Sequence, residues 1–352
     1  MTRRFSSGGR GAALLAARTW SHFGVDFACA FFVVGVFVPN APGAVGAGVL
    51  WYNLLAFALQ PLTGALCDRF LPRLGAVGGC LLVALAGLLA AFGWGWPALV
   101  VCALGNALFH PGGGRDVLLL AEGRLREGGV FVSAGAVGVS CGTLLGGFSS
   151  SPWLCVVCSL LLGLCAWSCW RTPCPAPAGR TAFHAASRLP FWWVVGLALV
   201  SVALRSYVGA LVPMPWKTGL LALAAGIASC LGKALGGFLA DWSSPRLVGT
   251  AALALSLPLL CLGWESPVLS LVGLVCFNMT MPVSLGVLAA KLPESPGLAF
   301  GLTAQFLFVG MLPFYGIPLE EGPALVVAGV GIGISALCVA LSSRGRAERS
   351  GV

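Results

Sequence analysis

Charged side chains are scarce in this sequence: only 9% of its 352 residues are Asp, Glu, Lys or Arg. Soluble domains carry about 25% charged and about 45–50% apolar residues, whereas 58% of this chain is apolar. A chain of this composition places its apolar surface in lipid. The composition therefore excludes a water-soluble globular protein and predicts an integral membrane protein.

The motifs of an aspartyl intramembrane protease and of a phosphate-binding loop are also missing. None of the four aspartates follows a glycine, as an aspartyl intramembrane protease would require. The run Gly112-Gly113-Gly114-Arg115 lacks the Lys-Ser or Lys-Thr pair of a phosphate-binding loop. Cys155 and Cys158 have metal-like spacing, but no second pair or histidine accompanies them, which favours apolar packing. We predict no enzyme, no cofactor and no metal site. Without an ATP-binding loop, the energy for any active process would have to come from an ion or substrate gradient.

Long uncharged runs predict twelve membrane-spanning helices. Stretches of 41, 41 and 43 residues without Asp, Glu, Lys or Arg follow Asp26, Arg73 and Glu127. About 20 apolar residues cross the hydrocarbon once, and each run contains an internal turn signal, so each is a helical hairpin. The long Leu, Ala, Gly and Val runs favour helices over a barrel. In the second half the predicted spans are 190–212, 218–240, 247–264, 266–288, 297–317 and 323–342.

The distribution of cations predicts orientation. With an even number of spans both termini share one side, and Lys217 is the only basic residue assigned to the other side. The positive-inside rule makes the cation-rich side cytoplasmic. We expect a multi-pass protein of the cell membrane with both termini cytoplasmic, and the net charge of +9 needs no nucleic-acid partner. The cytoplasmic cations are Arg3, Arg4, Arg10, Arg69, Arg73, Arg115, Arg124, Arg126, Arg171, Arg180, Arg188, Arg246, Lys291, Arg344, Arg346 and Arg349.

One loop sequence recurs after half the chain. Gly64, Asp68, Pro72, Arg73 and Leu74 are repeated 173 residues later as Gly237, Asp241, Pro245, Arg246 and Leu247. More faintly, Pro111 and Pro282 are expected to kink the fourth helix of each half. Two like halves are a transporter architecture, with substrate bound between the repeats. The predicted divisions are an N-terminal bundle at 1–170, a cytoplasmic linker at 171–188 and a C-terminal bundle at 189–352.

A Gly-x-x-x-Asp-Arg loop after the second helix, with a repeat after the eighth, resembles the signature of the major facilitator superfamily. Three stretches are similar to its fosmidomycin-resistance type of efflux pump: HFGVD at 22–26, QPLTG at 60–64 and GNALFHP at 105–111. The resemblance covers the whole chain and implies two six-helix bundles with pseudo-symmetry. The signature's usual glycine and basic pair are replaced by Leu71 and Pro72 before Arg73, and Trp242 replaces the first arginine in the second copy.

The resemblance assigns gating to these loops. A carboxylate whose partners exist in only one arrangement of the bundles biases a two-state transporter, and a nearby glycine permits close helix packing. The alternative is that the arginines only anchor topology. The expected gating residues are Gly64, Asp68, Arg69, Arg73, Gly237, Asp241 and Arg246.

Ionisable residues at membrane depth are costly and face cavities. His22 and Asp26 lie four apart on one face of the first helix, and Asp26 is the only carboxylate predicted near the middle of the membrane. Burial favours its neutral form and cations favour its charged form, so we predict proton coupling through Asp26 and His22. The alternative is a permanent structural bridge from Asp26 to His22 or Arg205.

The remaining polar residues at membrane depth are expected to contact substrate. Arg205 offers a fork of donors suited to carboxylate, phosphonate or phosphate, unless it extends to the outer interface. Lys233 either contacts substrate or fastens the eighth helix to a neighbour. The excess of cations favours an anionic or zwitterionic substrate. The predicted substrate contacts are Arg205, His110, His22, Asp26, Lys233 and Asn106.

We therefore expect a secondary active transporter that works by alternating access, as a monomer in the lipid bilayer. Proton-coupled export of a small anionic or amphiphilic compound is favoured by the resemblance. Proton- or ion-coupled uptake or exchange of an organic anion is the alternative, because the same residues serve either direction. A channel is disfavoured because no ring of polar residues recurs within the spans at the repeat distance.

Overall fold

The structure is a computed structural model that describes residues 9–172 and 179–345. In these ranges it is helical, and pairing between extended segments is limited to one isolated bridge between Ala186 and Ser343. Four of the orientation cations, Arg3, Arg4, Arg346 and Arg349, lie outside the described residues, as does the part of the predicted linker at 173–178.

Twelve helices lie within the described ranges. Ten are long and apolar enough to cross a membrane. The other two are α9, with 17 residues, and α4, which contains Asn106, His110 and the Arg115-Asp116 pair. The bounds are α1 Gly9–Asn40, α2 Pro42–Arg69, α3 Leu74–Ala91, α4 Gly95–Leu120, α5 Leu125–Phe148, α6 Pro152–Arg171, α7 Phe191–Leu211, α8 Gly219–Trp242, α9 Pro245–Cys261, α10 Pro267–Lys291, α11 Pro296–Gly316 and α12 Glu321–Ser342.

These bounds confirm the predicted fold class and helix count. The three uncharged runs of the first half break at Ala41, at 92–94 and at 149–151, where the turn signals lie. Each predicted span of the second half ends within three residues of the observed helix. Helix ends are legible in the sequence because proline, glycine and serine interrupt the apolar runs there.

The two prolines of the fourth and tenth helices act differently. The carbonyl of Ala107 lies four residues before Pro111, whose missing N–H leaves it free, and Oγ1 of Thr63 donates to it at 2.6 Å. Helix α4 runs unbroken through Pro111. Helix α10 is interrupted at Met279, three residues before Pro282. A neighbouring hydroxyl therefore replaces the lost hydrogen bond in α4.

Contacts divide the chain into two compact units. The first comprises Met1–Ala121, Ala134–Arg180 and Glu294–Gly301, and the second comprises Glu122–Ser133, Thr181–Pro293 and Leu302–Val352. In the first unit α3 packs against α4 and α6. In the second unit α12 packs against α7 and α9.

Glycines bring α5 against α1 in the first unit. The spacing of three, four and four residues between Gly135, Gly138, Gly142 and Gly146 predicts close packing. A Cβ at Gly138 would lie 2.5 Å from the carbonyl oxygen of Phe23, and the corresponding atoms at Gly142 and Gly146 would also meet α1 backbone. The prediction is confirmed, because any side chain at these positions would force the two helices apart.

Candidate functional site

Three predicted site residues converge in the first unit. Nε2 of His110 lies 3.2 Å from Oδ1 of Asp26, and Nε2 of His22 lies 3.3 Å from Oδ2 of the same carboxylate. The two imidazole rings are perpendicular, with centroids 4.6 Å apart. His22 and His110 are buried, at 4% and 8% exposure. We call His22, Asp26 and His110 the histidine–aspartate cluster.

The backbone of α4 orients the ring of His110. Its Nδ1 lies 3.0 Å from the carbonyl oxygen of Asn106, and because a carbonyl only accepts, Nδ1 must donate. A neutral ring in that tautomer would carry a bare lone pair on Nε2, directed at the Asp26 carboxylate. With Nδ1 donating, the 3.2 Å contact between Nε2 and Oδ1 is a hydrogen bond only when a second proton lies between His110 and Asp26.

Asn106 and two cysteines extend this polar column along α1 and α4. Nδ2 of Asn106 lies 3.5 Å from Oδ1 of Asp26 and 3.7 Å from Sγ of Cys29. Sγ of Cys102 lies 3.3 Å from Sγ of Cys29. Oδ1 of Asn106 is buried without a hydrogen-bond partner. Asn106 thus retains an unused acceptor beside the cluster.

Helix α5 makes room for the cluster through Gly135. A Cβ at this position would overlap Oδ2 of Asp26 and lie 2.6 Å from Nε2 of His22. No other residue type fits without moving the cluster. The glycine pattern that brings α5 against α1 therefore also shapes the site.

The cluster also meets the geometric requirement of a metal site, which the sequence analysis did not anticipate. One ligand atom from each of its three residues lies within 4.8 Å of the others, and two imidazoles with one carboxylate are donors that transition metals use. Charge favours a proton instead. One proton neutralises the Asp26 carboxylate, whereas a divalent ion would leave the cluster with a net positive charge at membrane depth.

Arg205 is a buried cation in the second unit. The side chain is 5% exposed, so it does not extend to the outer interface. Nη1 lies 3.4 Å from Oγ of Ser284, Nη2 lies 4.0 Å from Sδ of Met281, and Cζ lies 5.7 Å from the centre of the Phe277 ring.

None of these contacts neutralises the charge of Arg205. Its Nε has no hydrogen-bond partner, and no carboxylate among the described residues forms an ion pair with it. A buried, unneutralised guanidinium is unfavourable unless an anion approaches it. Lys233, the other predicted cation of this half, is partly buried on α8, and its carbonyl oxygen lies 2.7 Å from the Cβ position of Gly129.

Within the first unit, Asp68 of the first Gly-x-x-x-Asp-Arg loop binds the backbone at the start of α11. The carboxylate of Asp68 accepts hydrogen bonds from the backbone N–H groups of Gly297 and Leu298, at 2.9 and 3.0 Å. Gly64 contacts the Gly297 carbonyl directly. An anion at the first turn of a helix is favoured by the helix dipole and by unpaired N–H groups. Arg69 and Arg73 are exposed.

Within the second unit, Asp241 of the repeated loop binds the backbone at the start of α5 in the same way. The carboxylate of Asp241 accepts from the N–H groups of Leu125 and Arg126 at 2.8 and 3.0 Å, and Gly237 lies against the same backbone. Arg246 does not pair with Asp241: its Nε donates to the carbonyl of Ser343 at 2.9 Å.

Sequence reasoning missed a buried ion network beside the first loop. Arg18 donates from Nη2 and Nε to Oδ2 of Asp116, at 2.7 and 3.0 Å, and Nη1 of Arg115 lies 2.9 Å from Oδ1 of Asp116. Arg115, predicted as an orientation cation at the membrane face, is instead 1% exposed, with Nε 3.6 Å from Asp68. The available signal was the four-residue spacing of Arg18, His22 and Asp26, which places them on one face of α1.

A Gly-x-Ser-x-Gly sequence at Gly138–Gly142 is not a hydrolase nucleophile turn. The stretch is helical throughout α5, and the hydroxyl of Ser140 donates to the carbonyl of Ala136 at 3.0 Å. A hydrolase nucleophile lies on a sharp turn between a strand and a helix, which is absent here.

No protein-family profile matches this chain, and no curated protein matches it by sequence. Solved structures do. The chain is similar to a variant of the Escherichia coli fucose:proton symporter FucP, with a TM-score of 0.65 and 14% identity, over 94% of this chain and 97% of that one. A structure of FucP in the outward conformation gives a TM-score of 0.65 and 15% identity over the same shares.

A third similar structure is the human organic anion transporter MFSD10 (TETRAN). The TM-score is 0.61 and the identity 14%, over 94% of this chain and 96% of that one. FucP is described as a major facilitator superfamily transporter. Identities of this size establish the architecture alone. The chain therefore has the all-helical fold of major facilitator transporters.

Proposed function

We propose that this protein is a proton-coupled secondary transporter of small anionic compounds that works by alternating access. The observation that carries the proposal is the contact between His110 and Asp26. The side chains of His110 and Asp26 are only 10% and 13% exposed, and their contact is a hydrogen bond only when a proton lies between them. Among the described residues, no Lys or Arg forms an ion pair with Asp26. A proton carrier needs such a site, because the proton can then leave without breaking an ion pair with a permanent cation.

The chemistry of coupling follows from the cluster. With the proton bound, the imidazolium of His110 and the carboxylate of Asp26 form a neutral pair. When the proton leaves, the carboxylate remains with two neutral imidazoles, and this state is unfavourable away from water. The proton is therefore expected to leave only when the surroundings of the cluster change, as they do when the transporter changes state. His22, also within 3.3 Å of Asp26, is the second acceptor for the proton.

The substrate class follows from Arg205. A carboxylate, phosphonate or phosphate would neutralise the buried guanidinium and engage its fork of donors. We include His110, His22, Asp26, Asn106 and Lys233 among the substrate contacts, as the pattern of buried polar residues suggests. Two of the structures with a similar fold are named for proton symport and organic-anion transport, and those activities belong to those proteins.

We further propose export across the cell membrane, with both termini cytoplasmic. The motifs at 22–26, 60–64 and 105–111, which resemble the fosmidomycin-resistance type of efflux pump, support export of a phosphonate-like compound. Coupled uptake or exchange of an organic anion is the alternative. Asp68 and Asp241 are proposed to release their helix starts as the transporter changes state, because each holds its helix start through hydrogen bonds from backbone N–H groups. Asp68 also lies 3.6 Å from Nε of Arg115, a contact within its own unit.

The test is proton flux in proteoliposomes containing a pH dye. Phosphonates, organic acids and cationic drugs are added to wild type, to Asp26→Asn and to Glu294→Gln, an equivalent change at an exposed carboxylate. We expect anions to evoke a pH change in wild type and Glu294→Gln, and none in Asp26→Asn.

Substrate counterflow separates coupling from binding. Asp26→Asn should retain saturable exchange of the same anion, because exchange needs no net proton movement. Exchange without any pH change in the wild type would contradict proton coupling and return Asp26 to a structural bridge. Unsaturable flux in all variants would indicate a channel.

A further inference from the structure

A basic cavity lies in the first unit, apart from the histidine–aspartate cluster. Its volume is about 480 Å³. It is formed where α1 and α3 begin and α6 ends, and its lining includes Arg10, Arg18, Arg73, Trp170, Arg171 and Thr172. No acidic residue within the described ranges lines it. Four arginines around one cavity give it a positive potential that favours an anion.

Only one of the four arginines is neutralised by a described carboxylate. Arg18 pairs with Asp116 and also donates to Oγ1 of Thr172 at 2.8 Å. Arg10, Arg73 and Arg171 form no ion pair with a described Asp or Glu. Among the described residues, the cavity therefore presents three guanidinium groups that no carboxylate pairs with.

An apolar stripe on α6 leads to this cavity. Leu160, Leu164 and Trp167 follow one another at helical spacing and are 67%, 61% and 63% exposed. Trp170, which lines the cavity, is 60% exposed. The guanidinium of Arg171 lies 5.9 Å from the centre of the Trp167 ring. Exposed leucines that give way to tryptophan and then arginine match the layers of a bilayer, from acyl chain through interface to headgroup.

We propose that this cavity binds the phosphate group of an anionic phospholipid. The phosphate oxygens accept hydrogen bonds from Arg10, Arg73 and Arg171, since guanidinium groups suit phosphate geometry. The acyl chains lie along Leu160 and Leu164, and the ring of Trp167 lies at the level of the glycerol. A soluble phosphate would supply the same oxygens but would leave the apolar stripe unused. Basic pockets between helices at a membrane face bind lipid headgroups in this manner.

Native mass spectrometry of the detergent-solubilised protein tests the proposal. Phosphatidylglycerol is titrated against phosphatidylcholine with the same acyl chains. We expect wild type to retain phosphatidylglycerol in preference. Each arginine near a membrane surface contributes about fivefold in affinity for anionic lipid. Arg73→Gln and Arg171→Gln should each weaken binding about fivefold, and the double variant about 25-fold.

Arg188→Gln is the matched control, because Arg188 is an exposed arginine outside this cavity. It should bind phosphatidylglycerol like wild type. If Arg73→Gln or Arg171→Gln does not fold, Arg10→Gln, in the first turn of α1, is measured in its place. Equal retention of the two lipids by wild type, or an unchanged preference in the double variant, would overturn the proposal.

A phosphate arm distinguishes the two sources of the anion. Millimolar inorganic phosphate should displace little bound phosphatidylglycerol, because it lacks the acyl chains. Binding of inorganic phosphate as tight as that of the lipid, with the same dependence on Arg73 and Arg171, would overturn the lipid assignment in favour of a soluble phosphate ligand. Neither arm measures transport, so failure here leaves the proposed function untouched.

Discussion

Asp68 and Asp241 lie 173 residues apart and perform the same chemistry. Each carboxylate accepts two hydrogen bonds from consecutive backbone N–H groups at the start of a helix: Asp68 from Gly297 and Leu298, and Asp241 from Leu125 and Arg126. The repeat seen in the sequence is thus also a repeat of contacts. The shared partner is backbone, which explains why the surrounding loop sequence is free to differ between the copies.

Loss of either carboxylate should release one helix start and not the other. In Asp68→Asn, amide hydrogen exchange at 296–301 should rise while exchange at 125–128 stays unchanged, because a neutral amide accepts more weakly than a carboxylate. Asp241→Asn should give the reverse pattern. Hydrogen exchange mass spectrometry of both variants makes each the control for the other. Equal changes at both helix starts would contradict local pairing.

His110 should matter for coupling more than for exchange. His110→Gln removes the imidazolium that shares the proton with Asp26, so substrate-evoked proton flux should fall at least about tenfold, within the range of a lost proton-transfer group. Saturable counterflow should remain. His184→Gln, at the exposed third histidine, is the control and should transport protons like wild type. Proton flux that survives in His110→Gln would assign the proton to another group.

Gly135→Ala should destabilise the protein and disturb the cluster. The added Cβ collides with Asp26 and His22, and overpacking of this kind costs about 1–3 kcal/mol. Gly147→Ala lies on the same helix with open space around its Cβ position and should be neutral. Thermal unfolding in detergent compares the two variants. Equal stabilities would show that α5 moves away from α1 at no cost.

Removal of Asp116 should cost more than removal of Arg18. Asp116→Asn leaves both Arg18 and Arg115 buried without their shared carboxylate, and breaking a buried ion pair costs about 3–5 kcal/mol. Arg18→Met leaves Asp116 paired with Arg115 at 2.9 Å, so the loss should be closer to that of a charged hydrogen bond, about 1.5–3 kcal/mol. Denaturation in detergent measures both, and the reverse order would contradict the network.

Arg205 should set the affinity for anionic substrate. Arg205→Met removes its charged hydrogen bonds, each of which contributes about 1.5–3 kcal/mol, so the KM for counterflow should rise at least about tenfold. Arg205→Lys keeps the charge but loses the planar fork, and an intermediate KM is expected. A transported cationic compound is the control and should not lose affinity. Unchanged KM values for the anion in Arg205→Met would place the substrate elsewhere.

Much of the fold was predictable because helix formation in a membrane depends on local composition. The uncharged runs, the prolines at helix starts and the turn residues are all local features of the chain. The six helices of the second half were therefore expected within three residues of their observed bounds, and the three hairpins of the first half break at their turn signals. His22 and Asp26 were also predictable as neighbours, because a four-residue spacing places them on one face of α1.

Contacts between distant segments were not predictable in this way. Asp68 binds N–H groups more than 200 residues away in the chain, and nothing near Asp68 in the sequence identifies that helix start. Arg115 was assigned to the membrane face because its charge suits that position, yet Asp116 and Asp68 allow it to be buried. Pairing of charges depends on how neighbouring helices are rotated about their axes, and hydropathy does not encode rotation.

By itself, the sequence determined the membrane class, the number of helices and the internal repeat, since each follows from local hydropathy or from direct repetition of residues. Tertiary structure alone decided that His110 meets Asp26, that Gly135 leaves them room, and that Arg205 is buried with no carboxylate of the described residues beside it. The physical reason is that a side chain's partner is set by the packing of helices in three dimensions, where a displacement of one ångström makes or breaks a hydrogen bond.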